Sequence, residues 1–298
     1  MKKIILCVLC CACFGTLTFG QSQRVVYANR NQIESFFNSK TMVVMDADAF
    51  SDFNMSAPEA MKKYWTITPY EIITSDQFDQ MRTDPTLSFI FMAKVQLQRD
   101  RRQVHYQYIN VVMGAPRVRN LGDMPELLSL PLAYSGSEEE DYADKLPLML
   151  RFAQVHINNL RAARNPSLLN NLKNIGTETQ REKDEILTHL IKEKTLLVKE
   201  SDLSEQVNTI EKIQNEYPGK VKIVSPEELQ KAIEEQTPNT AVLHQVSPGE
   251  NDNSGRSYCV IIGADNARLY YYNDVAITQR RPPGMLARDF RLIQGRLF

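Results

Sequence analysis

Hydrophobic and polar positions follow each other along the chain in an order that occurs twice. Residues 33–37 place apolar side chains on one face of a predicted helix and lead, through a Lys-Thr pair, into an apolar strand at 42–44. Residues 187–191 and 196–198 repeat the same sequence of helix face, Lys-Thr pair and strand. The pattern therefore predicts two copies of one α/β unit.

Both copies contain a helix start after their second strand. Ser225, Pro226 and Glu228 have the spacing of an N-cap, a first helical residue and the far side of a capping box. Thr74 and Gln77 occupy the corresponding cap and capping-box positions of the first copy. The two helices are therefore predicted to begin in the same way.

The remaining elements also occur in matching order. The segment "YINVVMGA" corresponds to "YCVIIGAD", which aligns Gly114 with Gly263. We predict an α/β fold of two tandem α-β-α-β-α-β-β-β-α modules at 28–164 and 180–298, joined by a linker at 165–179. Each module is expected to form a mixed sheet with helices packed on it and to enclose its own core, with parallel strands first and an antiparallel hairpin later.

The first residues have the pattern of an export signal. Lys2 and Lys3 precede an apolar run that ends in small residues, which predicts a signal peptide at 1–20 cleaved after Gly20. A membrane anchor or a lipid anchor on Cys13 are the alternatives. The sequence thus predicts an exported protein, periplasmic or associated with the outer membrane, with no transmembrane helix in the mature chain.

Cleavage would change the cysteine count and the charge. Cys259 alone would remain, inside the apolar run "YCVIIG", so we expect a buried strand residue, no disulfide and no thioredoxin-like chemistry. Lys and Arg would number 33 against 36 Asp and Glu, a net charge near −3. This balance argues against a nucleic-acid partner, because a protein that binds nucleic acid needs a basic face.

Two acids follow the first strand of the first copy. Asp46 and Asp48 stand where ligands gather in open α/β sheets, at the carboxyl ends of the strands, and could hold a cation or act as an acid/base pair. Glu200 and Asp202 have the same offset in the second copy. The alternative, which we favour, is that such acids cap the next helix, Asp48 or Asp52 in the first copy and Asp202 in the second.

Aromatic residues supply candidates for partner contact. On a regular strand Tyr270 and Tyr272 would point to one face and Tyr271 to the other, which could expose tyrosine hydroxyls to a partner. Trp65 with Tyr70 could form an aromatic platform. The alternatives are a fully covered strand and aromatic lids on the core.

Other patterns predict no chemistry. The four histidines lack metal-ligand spacing, and no glycine-rich phosphate loop occurs, so no cofactor or metal is expected. The arginines of "QRRPPG" at 279–284, with later ones to Arg296, make the C-terminal region locally basic. We interpret them as a solvated helix face.

The run "KIVSPEELQKAI", with "TAVLHQVSP" and "YCVIIGADNARLYYYNDVAI" after it, resembles a module of cell-envelope proteins. These are the peptidoglycan-synthase activator lipoproteins, the curli-secretion lipoprotein and the N-terminal domain of the Tol-system β-propeller protein. The resemblance covers about 75 residues of each copy and rests on the order of the elements. The chain as a whole also resembles other exported proteins of Gram-negative bacteria. It implies a binding or assembly role without catalysis.

Two functional hypotheses follow. The first is a secreted or periplasmic binding or scaffold protein of the cell envelope, whose partner is another envelope protein contacted through residues such as the tyrosines. The second is an envelope hydrolase that uses Asp46 and Asp48. The sequence does not decide the oligomeric state.

Overall fold

The structure is a computed structural model, which describes residues 18–19, 25–96, 105–134, 142–169, 172, 191–249 and 254–293. Most of the predicted signal peptide, most of the linker, the tips of both hairpins and Arg296 lie outside these residues. The first helix of the second copy is described only at its end, Ile191 and Lys192.

The first copy contains four helices and five principal strands in the described residues. They are α1 (Arg30–Phe36), β2 (Lys40–Val44), α2 (Asp52–Tyr64), β3 (Tyr70–Ile73), α3 (Ser75–Met81), β4 (Leu87–Gln96), β5 (His105–Met113), β6 (Glu126–Tyr134) and α4 (Leu146–Ala162). A two-residue strand, β1 (Thr18–Phe19), pairs with β4 and belongs to the predicted signal peptide.

The second copy repeats this order. Its elements are β7 (Thr195–Lys199), α5 (Ile210–Gln214), β8 (Lys220–Val224), α6 (Pro226–Glu234), β9 (Thr240–Val246), β10 (Arg256–Gly263), β11 (Leu269–Ala276) and α7 (Ala287–Ile293). Short 3-10 helices occur at Leu121–Asp123, Pro166–Leu168 and Glu200–Asp202.

The predicted capping boxes are confirmed. The hydroxyl of Ser225 accepts the backbone N–H of Glu228 at 3.2 Å, and the Glu228 carboxylate accepts the N–H of Ser225 at 3.1 Å. Thr74 and Gln77 make the same two bonds at the start of α3. Each box satisfies two backbone donors that a helix start otherwise leaves without partners.

The two sheets have the same strand order. The first runs β3-β2-β4-β5-β6 and the second β8-β7-β9-β10-β11, which is second-first-third-fourth-fifth in each copy. In both, the first strand pairs in parallel with its two neighbours and the later pairs are antiparallel. The predicted fold class, two tandem α/β modules with mixed sheets, is confirmed.

An irregularity of the last hairpin is also duplicated. The register between the fourth and fifth strands shifts between Val111 and Val112 in the first copy and between Ile261 and Ile262 in the second. The N–H of Gly114 bonds to the carbonyl of Leu87, and the N–H of Ala264 makes the equivalent bond to Thr240. The structural partner of Gly114 is therefore Ala264, and the alignment with Gly263 is wrong by one residue.

The hydrophobic core is only partly divided between the copies. One cluster lies entirely in the first copy and includes Phe78 and Phe89, and another lies in the second and includes Leu243 and Phe290. The largest cluster joins residues of both, from Ala28 to Ala267. The expectation that each module encloses its own core is therefore wrong for the space between the sheets.

Helix α4 explains this shared core. Ten of its 17 residues are buried, and one side of the helix, which carries Arg151, Val155 and Asn158, is not. Leu150 and Phe152 lie in the same cluster as Val242 and Val260 of the second sheet. The helices of the first copy thus cover one face of the second copy's sheet.

Polar contacts fix the same interface. The Arg151 guanidinium donates to the carbonyls of Ala264, at 2.7 Å, and Asp265, at 3.0 Å. His244 Nε2 lies 2.9 Å from the carbonyl of Pro131. These contacts connect groups that would otherwise be buried without partners, so they orient the two sheets.

The first copy carries an insertion that the second lacks. Residues 114–125 connect β5 to β6, whereas residues 264–268 connect β10 to β11. Val118 and Met124 of the insertion are buried in the cluster that lies on the α3 face of the first sheet. The corresponding α6 face of the second sheet is covered by α4 instead.

Candidate functional site

A cleft opens at the carboxyl ends of β7 and β9, where the strand order of the second sheet reverses. Ligands bind at this position in open α/β sheets, because loops leave the sheet there in opposite directions. The cleft has a volume of about 570 Å³. We call it the strand-end cleft. It is lined by Leu132, Ala133, Tyr134, Lys199, Ser201, Asp202, Leu203, Ser204, Glu205, Gln206, Pro226, Gln245, Val246, Ser247, Pro248, Gly249, Pro282, Pro283, Gly284 and Leu286.

Backbone hydrogen bonds tie the loops of the cleft together. The N–H of Met285 donates to the carbonyl of Asp202 and the N–H of Ser204 donates to the carbonyl of Met285, both at 3.0 Å. The N–H of Gly284 donates to the hydroxyl of Ser247 at 3.0 Å. The loops after β7 and β9 and the loop before α7 therefore form one connected wall.

A buried ion pair holds the loop before α7. Arg281 and Asp289 are 4% and 2% exposed, and their Nη2 and Oδ2 atoms lie 2.8 Å apart. The other guanidinium nitrogen of Arg281 donates to the carbonyls of Pro282 and Gly284. Burial lowers the pKa of Arg281 and raises that of Asp289, while each charge opposes the shift of the other. Arg281 therefore braces this loop from inside, and the interpretation of a solvated face is wrong for it.

Gly284 is needed at this turn. Its φ of +78° lies in the left-handed region that residues with a Cβ rarely adopt. The two residues before it are prolines, whose rings fix their own φ angles. The wall formed by 281–286 is thus rigid by its backbone as well as by its ion pair.

Two further ion pairs cross between the modules beside the cleft. Lys145 Nζ lies 3.7 Å from Asp202 Oδ2, and Lys199 Nζ lies 4.0 Å from Asp144 Oδ2. Both lysines and Asp202 are at least 95% buried. Asp202 therefore faces Lys145, which precedes α4. Asp202 does not cap a helix.

Two residues that line the cleft carry buried polar atoms. Gln245 donates through Nε2 to the Ser257 hydroxyl at 2.6 Å, while its Oε1 atom is buried and has no hydrogen-bond partner among the described residues. The hydroxyl of Ser204 is also buried and has no hydrogen-bond partner among the described residues. Both atoms lie beneath the surface of the cleft and are shielded from solvent.

Asp46 and Asp48 each accept a backbone hydrogen bond within the loop after β2. An Asp46 carboxylate oxygen accepts the N–H of Asp48 and an Asp48 oxygen accepts the N–H of Phe50, both at 3.0 Å. The helix cap is Ser51, whose hydroxyl accepts the N–H of Asn54, so the expectation of an Asp48 or Asp52 cap is wrong. Both carboxylates stabilise turns of the loop after β2.

Trp65 and Tyr70 do not form an exposed platform. Trp65 is 4% exposed, packs edge-on against Phe36 and donates through Nε1 to the Thr68 hydroxyl at 2.9 Å. Tyr70 is half-buried against the shared core. The alternative interpretation as aromatic lids on the core describes both.

The three tyrosines of β11 do not alternate between faces. The register shift leaves Tyr270 without an opposite residue, because Ile261 pairs with Tyr271 and Ile262 with Leu269. Tyr270 and Tyr271 therefore both pack on the second copy's own cluster, whereas Tyr272 packs on the opposite face. The predicted alternation is wrong because a β-bulge places two successive side chains on one face.

Cysteine and histidine have structural environments. Cys259 is 5% exposed, and burial raises the pKa of its thiol well above the usual value. His156 is buried in α4, and desolvation lowers its pKa to about 4. The described part of the chain contains no cluster of three or more His, Cys, Asp or Glu residues that could hold a metal ion.

Sequence reasoning missed most of the cleft. The rule about strand ends directed attention to Asp46, Asp48, Glu200 and Asp202, and only Asp202 lines the cleft. The signal that could have located the wall is the run from 281 to 286, where two prolines and a glycine follow an arginine. Their relation to the loops after β7 and β9 depends on the tertiary fold.

Comparisons with protein-family models, with curated proteins and with solved structures found no match to this chain. Among the described residues, no helix has the length and the apolar character needed to cross a bilayer.

Proposed function

We propose that this chain is an exported binding or scaffold protein of the cell envelope, which acts by contacts with another envelope protein. The observation that carries the proposal is the strand-end cleft, whose loops are tied together before any ligand arrives. Preorganised walls reduce the entropy lost on binding, which is what a binding site requires. The predicted signal peptide and the resemblance to envelope modules supply the location.

The core shared by the two copies supports the same proposal. A scaffold must hold its binding surfaces in a fixed relation, and α4 lies in a hydrophobic core that contains residues of both sheets. Arg151 and His244 add polar contacts across the same interface. The cleft includes residues from both copies, Leu132 to Tyr134 from the first and the remainder from the second, so it depends on this packing.

The hydrolase hypothesis receives no support from a specific contact. Each carboxylate of the pair Asp46 and Asp48 accepts a backbone N–H of its own loop. We therefore do not propose it.

The proposal is tested in the cells that produce the protein, with a photo-crosslinking amino acid in the full chain. One variant carries it at Ser201, which is exposed in the cleft, and a control carries it at Lys231, on the exposed side of α6. We expect the protein in the envelope fraction and a discrete protein crosslink from position 201 only. A cytoplasmic location, or no protein crosslink from any exposed position tried, would contradict the proposal.

A further inference from the structure

We infer that the loop after β2 and the start of α2 form a contact surface for another protein, one that offers an apolar pocket bordered by basic side chains. We call this surface, residues 46–59, the β2–α2 tip. The inference rests on the proposed function and names a second surface through which the chain meets a partner. Three features carry it, namely two exposed apolar side chains, the fixed backbone beneath them and the charge around them.

Two large apolar side chains of the tip face solvent. Phe50 is 85% exposed and Met55 is 63% exposed, whereas the next such residue in the described part of the chain, Val25, is 46% exposed. Phe50 precedes the N-cap and Met55 is the fourth helical residue, and side chains at these two positions lie on the same side of a helix start. Apolar side chains that cluster on a surface mark interaction sites, and aromatic residues and methionine are enriched in protein interfaces.

The second copy shows that the fold does not require this exposure. The corresponding loop follows β7, and its apolar residues Leu203 and Val207 are 6% and 0% exposed. Both lie in the hydrophobic cluster of the second copy. The exposure of Phe50 and Met55 is therefore a property of the first copy alone.

Side-chain hydrogen bonds fix the backbone of the tip. Asn54 accepts the N–H of Asp46 at 2.8 Å through Oδ1, and its Nδ2 donates to the carbonyls of Asp46 and Asp48 at 2.9 and 2.7 Å. The Asp48 carboxylate accepts the N–H of Phe50 itself at 3.0 Å. The segment that presents Phe50 is thus held in place before a partner arrives, which reduces the entropy lost on binding.

The charge of the tip indicates the chemistry of its partner. Residues 46–59 contain four acids and no lysine, arginine or histidine. The acids are Asp46, Asp48, Asp52 and Glu59. Glu59 is exposed and follows Met55 by one helical turn, so it lies on the same face. Such a surface complements a basic protein surface and is repelled by anionic lipids, and segments that bind membranes carry basic residues instead.

The test replaces Phe50 by a benzophenone amino acid in the full chain, in the cells that produce the protein. This change keeps an aromatic side chain and crosslinks whatever contacts it. The crosslinked protein is identified by mass spectrometry, purified and titrated against the purified chain. We expect Phe50→Ala to weaken binding by at least about tenfold. Ile72→Ala, at an exposed apolar residue of the edge strand β3, should leave binding unchanged.

A second pair of variants tests the charge. Glu59→Lys should weaken binding to the same protein, and wild-type binding should weaken as the salt concentration rises. Glu235→Lys makes the same change at the exposed end of α6 and should have no effect. Because Phe50 is exposed, Phe50→Ala should unfold at the wild-type urea concentration, which separates a loss of contact from a loss of fold.

Four results would overturn the inference. They are the absence of a discrete crosslink from position 50, a crosslink to a second copy of this chain, and binding of the identified protein that Phe50→Ala does not change. The fourth is sedimentation of the wild type, but not of Phe50→Ala, with vesicles of three parts phosphatidylethanolamine to one part phosphatidylglycerol, which would make the tip a membrane contact. A discrete protein crosslink from Ser201, combined with any of these, would leave the proposed function standing while the tip is rejected.

Discussion

At the scale of single residues, local contacts and burial decide the role of side chains whose type alone suggests a binding or catalytic site. Asp46 and Asp48 have the spacing of an acid pair, and each accepts one backbone N–H of its own loop. Trp65 resembles a platform but lies in the core. Arg281 resembles a solvated charge but braces a loop from inside. In each case the residue type was visible in the sequence and its environment was not.

His156 should make the protein less stable in acid. Burial lowers its pKa to about 4, so between pH 6.5 and 4 the unfolded state binds a proton that the folded state excludes. The free energy of unfolding should fall by about 3 kcal/mol over this window, since one pKa unit corresponds to about 1.4 kcal/mol. Urea unfolding of the wild type and of His156→Gln at several pH values measures the difference. An identical pH dependence in both proteins would contradict the burial of a neutral imidazole.

Glu126 should have the opposite effect on the pH dependence of stability, over a pH range that overlaps that of His156. Burial raises its pKa to about 7, so the stabilisation is complete below about pH 4.5 and is lost as the pH rises to 7. We expect the loss to be about 2 kcal/mol, because the side chain is only partly shielded from water. Glu126→Gln should flatten this part of the stability profile in urea unfolding. A profile unchanged by the substitution would show that the carboxyl is ionised throughout.

The Arg281–Asp289 pair should be costly to break. Asp289→Ala leaves a buried guanidinium without its anion, and we expect a loss of about 3–5 kcal/mol in the free energy of unfolding. Arg281→Met combined with Asp289→Leu removes both charges and should be clearly less destabilised than the single variant. Chemical denaturation of the three proteins decides this. Equal stability of Asp289→Ala and the wild type would mean that the pair does not brace the loop.

At the scale of elements, local sequence signals were reliable. The caps of α3 and α6, the strand at 42–44 and its counterpart at 196–198 all occur where the pattern predicted them. These features depend on neighbours a few residues away, so the chain itself specifies them. The bulge at Tyr270 was not foreseen, because a regular strand period gives no sign of an extra residue.

The two capping boxes should contribute equally to stability. Ser225→Ala and Thr74→Ala each remove a hydroxyl that accepts a helix N–H, so each should cost about 1 kcal/mol. The Ser225 hydroxyl also donates to the Glu227 carboxylate at 2.7 Å, so Ser225→Thr, which keeps the hydroxyl, serves as the control with a loss of a few tenths of a kcal/mol at most. Thermal and urea unfolding provide the measurement. A loss in Ser225→Thr as large as in Ser225→Ala would contradict the capping role of the hydroxyl.

At the scale of the whole molecule, the two copies are stacked through unlike faces. Helix α4 of the first copy covers the α6 face of the second sheet, while the insertion at 114–125 covers the equivalent face of the first sheet. Stacking of unlike faces does not close on itself and can extend without limit unless one end is capped. The insertion covers the face of the first sheet at which a further copy could otherwise stack.

Shortening the insertion should therefore cause association. Replacing residues 115–124 by the shorter connection found at 264–267 would uncover apolar residues such as Phe89 and Val112 on the α3 face. We expect concentration-dependent oligomers in sedimentation or light scattering, whereas the wild-type insertion keeps this face covered. Val118→Asp, which disrupts the insertion without shortening it, should show the same tendency. A folded, monomeric shortened protein would contradict the capping role.

The duplication, the order of elements, the caps and the mixed character of each sheet follow from the linear pattern, because periodicity and turn chemistry act between near neighbours. Tertiary structure alone decided which faces meet, that α4 lies in a core common to both copies, and that three separate loops form one cleft. Those outcomes depend on contacts between residues far apart in the chain, such as Arg151 with Ala264 and Ser247 with Gly284. A linear pattern does not encode such contacts locally.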